Sequence, residues 1–195
     1  MTTVFFDVDT QIDFLYPAGA LYAPGAEKIV GHIAALNHCA EARGIPLVST
    51  MDAHSEDDPE FKNWPPHCVA GTAGQQKPAS TLLERRTVLA NTANAALDFD
   101  GTQQILLEKQ TLDCFATRHL AKLLDRLGAE RYVVYGVVTE VCVKFAVEGL
   151  LKTGKRIELV TDAVRAFNAA AGAEMTAAFL AAGGVLTTVD AVTRG

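Results

Sequence analysis

Short apolar, β-branched runs alternate along the chain with longer stretches whose apolar residues return every three or four positions. The first run, Thr3 to Val8, reads as a strand. From Glu27 to Arg43, Ile29, Ile33, Leu36 and Ala40 share one helical face, and Gly44 closes the pattern. Ile45 to Met51 and Gln104 to Glu108 read as the second and third strands, Thr117 to Leu127 as a helix ended by Gly128, and Arg131 to Gly136 as the fourth strand. Thr139 is then suited to cap a helix over Glu140 to Thr153 that stops at Gly154. A fifth strand at Arg156 to Val160, a helix at Ala169 to Ala182 and a sixth strand at Val185 to Val189 complete the series. Two segments escape the rhythm. One is a loop rich in Pro, Asp and Gly from Asp52 to about Pro78, of a length that is usually functional or disordered. The other, residues 79–102, suggests only a short helix at Ser80 to Arg85 and otherwise reads as an irregular insertion.

Strands that are apolar nearly throughout and alternate with helices imply a parallel sheet covered on both faces. The expected fold is therefore one three-layer α/β/α, Rossmann-like domain with a six-stranded, mostly parallel sheet. In such sheets ligands bind beyond the carboxyl ends of the strands, near the point where strand order reverses. A chain of 195 residues, 49% apolar, is long enough to bury a full core. Its net charge of -6, with no cluster of Lys and Arg, argues against nucleic acid or an anionic membrane as partner and leaves small molecules or a second copy of the chain. No apolar run approaches a membrane span and the first strand begins without a charged, apolar leader, so a cytoplasmic protein is expected. Cys39, Cys68, Cys114 and Cys142 form no C-x-x-C pair, which favours reduced thiols. Neither G-x-G-x-x-G nor a phosphate-binding P-loop sequence occurs, which argues against a dinucleotide or nucleoside triphosphate.

Three chemically suggestive residues follow strand ends: Asp9 after the first, Lys109 after the third and Cys142 after the fourth. Cys142 falls in the expected first turn of a helix, where unpaired N–H groups and the positive end of the dipole would stabilise a thiolate and an oxyanion. A carboxylate such as Asp9 can take and return a thiol proton, and an ammonium between the two offsets their repulsion once both are charged. The long loop adds a second constellation. Asp52 and His54, two apart, point to one side of extended chain, and His67 and Glu60 extend the set to carboxylate and imidazole donors that suit a divalent ion, zinc first, then iron or manganese. Cys68 diverges from its neighbour His67 and is not counted among them.

Three stretches carry a family resemblance: Val8-Asp9-Thr10-Gln11-Ile12-Asp13-Phe14; Asp52-Ala53-His54 with Trp64-Pro65-Pro66-His67-Cys68-Val69-Ala70-Gly71-Thr72; and Gly136-Val137-Val138-Thr139-Glu140-Val141-Cys142-Val143. Together they resemble the isochorismatase-like cysteine hydrolases, most of all the nicotinamidase and pyrazinamidase branch. The resemblance implies Asp9, Lys109 and Cys142 as a catalytic triad, Asp52, His54 and His67 as metal ligands, and Phe14 and Trp64 beside the substrate ring. It also implies a cis peptide before Val138, whose amide with that of Cys142 would form the oxyanion hole, and assembly into a homo-oligomer. The implied reaction is hydrolysis of a carboxamide through a cysteine thioester, nicotinamide giving nicotinate and ammonia as in NAD salvage. Glu60 stands where some relatives carry histidine, and Thr87 to Gly101 departs from the nicotinamidase pattern, which leaves another amide or carbamoyl substrate open. Two further classes have a foothold. Asp7-Val8-Asp9-Thr10 superficially matches the D-x-D-x-T of haloacid-dehalogenase-type phosphatases, with the threonine one residue early, and the loop donors would also serve a non-catalytic, metal-stabilised scaffold.

Overall fold

The computed structural model describes residues 1–195. Seven strands, β1 (Thr3–Val8), β2 (Leu47–Asp52), β3 (Arg86–Leu89), β4 (Gln104–Lys109), β5 (Arg131–Val137), β6 (Arg156–Arg165) and β7 (Val185–Thr187), form one sheet in the order β3-β4-β2-β1-β5-β6-β7. Every neighbouring pair is parallel. Six helices accompany them: α1 (Ile12–Leu15), α2 (Val30–Ala42), α3 (Leu120–Leu127), α4 (Lys144–Leu151), α5 (Ala169–Ala181) and α6 (Val189–Arg194).

Alternation along the strands builds two cores. Val4, Phe6 and Val8 of β1 face the side covered by Leu120, Leu123 and Leu124 of α3, Ala146 and Val147 of α4 and Met175 and Phe179 of α5. Phe5, Leu47, Val133 and Tyr135 face the other side, against Ile33, Leu36 and Ala40 of α2 and Val192 of α6. The expected three layers are therefore present, because helices with one apolar face can only be satisfied against a sheet face. No helix is long and apolar enough to cross a membrane.

The expected six strands become seven, since β3 lies inside the stretch read as irregular. It is a four-residue edge strand with Arg86 and Val88 exposed, so it lacks the continuous apolar signature of a buried strand. The expected short helix at Ser80 to Arg85 is instead a 3₁₀ turn over Ala79–Thr81. The sixth expected strand is also shorter: Thr188 caps Ala191 N–H with its hydroxyl and turns Val189 into the start of α6. At the nucleophile turn Thr139 is not the cap. Thr139–Val143 winds as a single π turn before α4, and Thr139 is buried inside it.

At the centre, order reverses between β1 and β5: β2, β4 and β3 lie on one side, β6 and β7 on the other. This is where a crevice opens at the carboxyl ends of a doubly wound sheet. Gly136 belongs to this crossing. Its φ of 123° is closed to other residues, and a Cβ there would lie 2.1 Å from the Val8 carbonyl oxygen, so β1 and β5 approach only because the position is glycine.

Candidate active site

Asp9, Lys109 and Cys142 meet at the crevice. Lys109 closes β4, beside Asp52 at the end of β2 in the register of the two strands. Its Nζ lies 2.9 Å from Asp9 Oδ2, 2.5 Å from Asp52 Oδ1 and 3.7 Å from Cys142 Sγ, and it donates to Thr111 O at 3.1 Å. All four side chains are buried. Burial alone would push the Lys109 ammonium down, but Asp52 and Asp9, with Cys142 adding, outweigh it and hold the group well above its ordinary range.

Asp9 is fixed from two directions. Thr50 Oγ1 donates to Asp9 Oδ1 at 2.6 Å, and Asp9 N–H donates to Thr50 O at 3.2 Å. Its φ of 50° is uncommon for a non-glycine residue, and it turns the chain out of β1 into the crevice. Burial, opposed by Lys109 and reinforced by Asp9, pushes the Cys142 thiol well above its ordinary value. Desolvation here outweighs the nearby ammonium, so the surroundings work against the thiolate that a helix start alone would favour. The Val137–Val138 peptide is cis, as the resemblance implies.

Asp52, His54 and His67 are also brought together, with donor atoms within 4.8 Å of one another. Asp52 Oδ1 is 3.9 Å from His54 Nε2, Asp52 Oδ2 is 3.8 Å from His67 Nε2, and Glu60 Oε1 is 3.9 Å from both imidazole nitrogens. Nitrogen and oxygen donors gathered this closely are of the kind that surround a single divalent ion. His67 Nδ1 donates to Pro65 O at 2.8 Å; a carbonyl can only accept, so the Nε2 lone pair is free and faces the other donors. Asp58 Oδ2 lies 3.0 Å from His54 Nδ1 as an ion-pair contact, and neither nitrogen of the buried His54 ring has a hydrogen-bond partner. Burial pushes the His67 ring down, toward the neutral form that ligates. These residues fit a divalent ion. Carboxylates and carbonyls behind ligating histidines hold the ring and raise its basicity, so Asp58→Ala is expected to weaken binding of the divalent ion by roughly 10–100-fold in a chelator-competition titration.

The two constellations share Asp52, whose Oδ1 faces Lys109 while Oδ2 faces His67. Sequence reasoning missed this link and missed Asp58. A further set of contacts fastens the loop that carries the metal donors. Gln11 Nε2 donates to Asp52 O and Gln75 O, both at 2.8 Å, and Gln11 Oε1 accepts from Asp52 N–H at 2.7 Å. Cys68 N–H donates to Asp13 Oδ2 at 2.7 Å. Lys77 Nζ lies 3.2 Å from Asp7 Oδ2 and donates to Thr10 Oγ1 at 2.9 Å, while the Thr10 hydroxyl donates to Asp7 Oδ1 at 2.7 Å. This closed, buried network engages Asp7, so the second aspartate that a haloacid-dehalogenase-type site would need faces Lys77 instead of Asp9.

Above the sulfur is a pocket of about 280 Å³ of empty space. Phe14, Trp64, Val137, Val138 and Val141 line it, with Leu21, Leu112 and Phe167, while Asp52, Glu60 and His67 form its polar end and Cys142 its chemical one. Phe14 and Trp64, which the resemblance implies beside the substrate ring, both line this pocket. Leu112 and Phe167 were not foreseen, since a single apolar residue between elements leaves no periodic signal.

A buried acid–ammonium–thiol set at the switch point of a doubly wound sheet, beside carboxylate and imidazole donors, defines the class of site found in cysteine hydrolases. Residues 3–191 match the family model described as isochorismatase domain, and the chain belongs to the isochorismatase family. It is 28% identical over 188 residues to a nicotinamidase of Escherichia coli (strain K12), covering 83% of this chain and 82% of that one. Among solved structures it is similar to a pyrazinamidase of Pyrococcus horikoshii in complex with zinc, with TM-score 0.80, 25% identity and coverage of 96% and 99%. It is likewise similar to a protein of L. infantum in complex with nicotinate, with TM-score 0.77, 30% identity and coverage of 97% and 94%. The matches support an amide hydrolase.

Proposed function

We propose that this protein is a cysteine amidohydrolase that converts an uncharged aromatic carboxamide, nicotinamide first among them, to the carboxylate and ammonia. One observation carries the reading: the Asp9, Lys109 and Cys142 set lies at the base of an apolar pocket whose only other polar end is the metal-donor group. In this mechanism Cys142 Sγ attacks the amide carbon as its proton passes to Asp9. The Val138 and Cys142 amides hold the oxyanion, and Asp9 returns the proton to nitrogen so that ammonia departs from the thioester. Asp9 then takes a proton from water as its oxygen attacks the thioester carbon, and passes that proton to Cys142 Sγ as the C–S bond breaks; the acid released ionises to the carboxylate, and the thiol and the Asp9 carboxylate are both restored. Lys109 stays protonated throughout and balances the changing charge on Asp9. Asp52, His54, Glu60 and His67 would hold one divalent ion, zinc first, which when bound supplies a Lewis-acidic anchor for a lone pair of the substrate ring.

The same family chemistry on N-carbamoyl amino acids or other amides that carry a carboxylate finds less support. No cationic side chain lines the pocket, and the Lys109 ammonium below it is already committed to Asp9 and Asp52. With the zinc-loaded enzyme, ammonia release is expected from nicotinamide and pyrazinamide, with kcat/KM at least about tenfold below these for N-carbamoyl amino acids. Equal or better turnover of the carboxylated amides would overturn the assignment of substrate class, and no ammonia from any amide in the panel would overturn the hydrolase reading itself.

A further inference from the structure

Phe167 comes from the turn between β6 and α5, and Trp64 from the loop that carries the metal donors. Their ring centroids are 5.9 Å apart and their planes inclined by 31°. Both rings line the pocket and both are half-buried, whereas Phe14, Val137, Val138 and Cys142 are buried. The two aromatics belong to the more exposed part of the lining, with Leu21, Leu112 and Val141, and their contact bridges two separate loops there.

The backbone behind Phe167 is held on purpose-built contacts. Asn168 Oδ1 accepts from Ala170 and Ala171 N–H at 2.9 and 3.1 Å, starting α5. Glu140 lies in the π turn two residues before the nucleophile, and its Oε1 accepts the Asn168 N–H at 2.8 Å. Its other oxygen, Oε2, is buried with no partner. The Oε1 contact ties the residue after Phe167 to the turn that carries the sulfur.

We propose that Phe167 is a specificity-determining residue: with Trp64 it sets the width of the pocket mouth so that single-ring carboxamides enter and fused bicyclic ones do not, and Glu140 is the positioning residue that fixes Phe167 relative to Cys142. The proposal rests on the carboxamide reading above and adds its size limit. A second fused ring would have to part the Trp64–Phe167 contact, and shortening Phe167 removes that obstacle without touching the triad or the metal donors.

The test uses the full chain loaded with zinc and compares nicotinamide with quinoline-3-carboxamide. The kcat/KM ratio of bicyclic to monocyclic amide is expected to rise about tenfold or more in Phe167→Ala and by less in Phe167→Leu. Glu140→Ala is expected to move the ratio in the same direction, while Glu140→Gln, which retains an acceptor for the Asn168 amide, keeps the wild-type ratio. Trp64 is the only tryptophan of the chain, so quenching of its emission by nicotinate and by quinoline-3-carboxylate, corrected for ligand absorbance, reports binding without turnover. Phe167→Ala should tighten binding of the bicyclic acid selectively. An unchanged ratio in Phe167→Ala with wild-type melting overturns the size limit, and an unchanged ratio in Glu140→Ala overturns the positioning role. If the wild-type enzyme releases ammonia from neither amide, the carboxamide reading has failed, and the emission titration alone decides the mouth: selective tightening supports it and equal quenching by both acids overturns it.

Discussion

Alanine in place of Cys142 is expected to lower ammonia release from nicotinamide on the order of 10⁴-fold or more, with the divalent-ion content of the protein unchanged. The separation of the two effects follows from geometry. Cys142 contributes no donor to the Asp52, His54 and His67 set, and the Lys109 ammonium keeps Asp9 and Asp52 as partners when the sulfur is gone. The fold should tolerate the change, since the lost group is one small atom at the base of a pocket. Ammonia assays with metal analysis on the same preparation test this. Turnover near wild type in the metal-loaded variant would reject the thiol as nucleophile.

Lys109→Met is expected to cost about 3–5 kcal/mol of stability as well as activity. The methionine fills a similar volume, so the loss is electrostatic. It leaves the buried carboxylates of Asp9 and Asp52 facing one another with no cation between them. One of them must then take up a proton, which spoils either the base or the metal donor. For a chain of this size the melting temperature should fall by roughly 6–20 °C. Thermal denaturation followed by circular dichroism, with zinc content measured beside it, provides the check. A variant melting with the wild type would mean that Lys109 does not hold this centre together.

The parts of the site legible in the sequence were those that follow strand ends. Asp9 and Lys109 stand at the ends of apolar runs and Cys142 in the turn that follows another, and in a parallel sheet such positions gather at one rim. Asp52, His54 and His67 were legible because a structureless loop holding imidazoles and carboxylates at short spacing has few other uses. What depends on register was not legible. The pairing of Asp52 with Lys109 requires β2 to sit beside β4 with their last residues level, and no local pattern fixes that. Strand β3 was missed because an edge strand exposes polar residues that resemble loop. The π turn at Thr139–Val143 was read as ordinary helix, since both windings bury the same apolar face. The burial that pushes the Cys142 thiol up was not legible either, because sequence position reveals a helix start but not the dryness around it.

Irregular backbone is commonly equated with looseness, and the fastening of the metal-donor loop argues otherwise here. Both ends are riveted to β1 and the turn after it, through Gln11 to Asp52 and Gln75, and through Asp7 and Thr10 to Lys77. Lifting it as a flap would pull the Lys77 ammonium away and leave the Asp7 carboxylate unpaired in the interior, at a cost of several kcal/mol. The loop thus serves as masonry: traffic of substrate and ammonia has to pass through the aperture between side chains, and rates of exchange should follow what stands in that aperture, not any swing of the main chain.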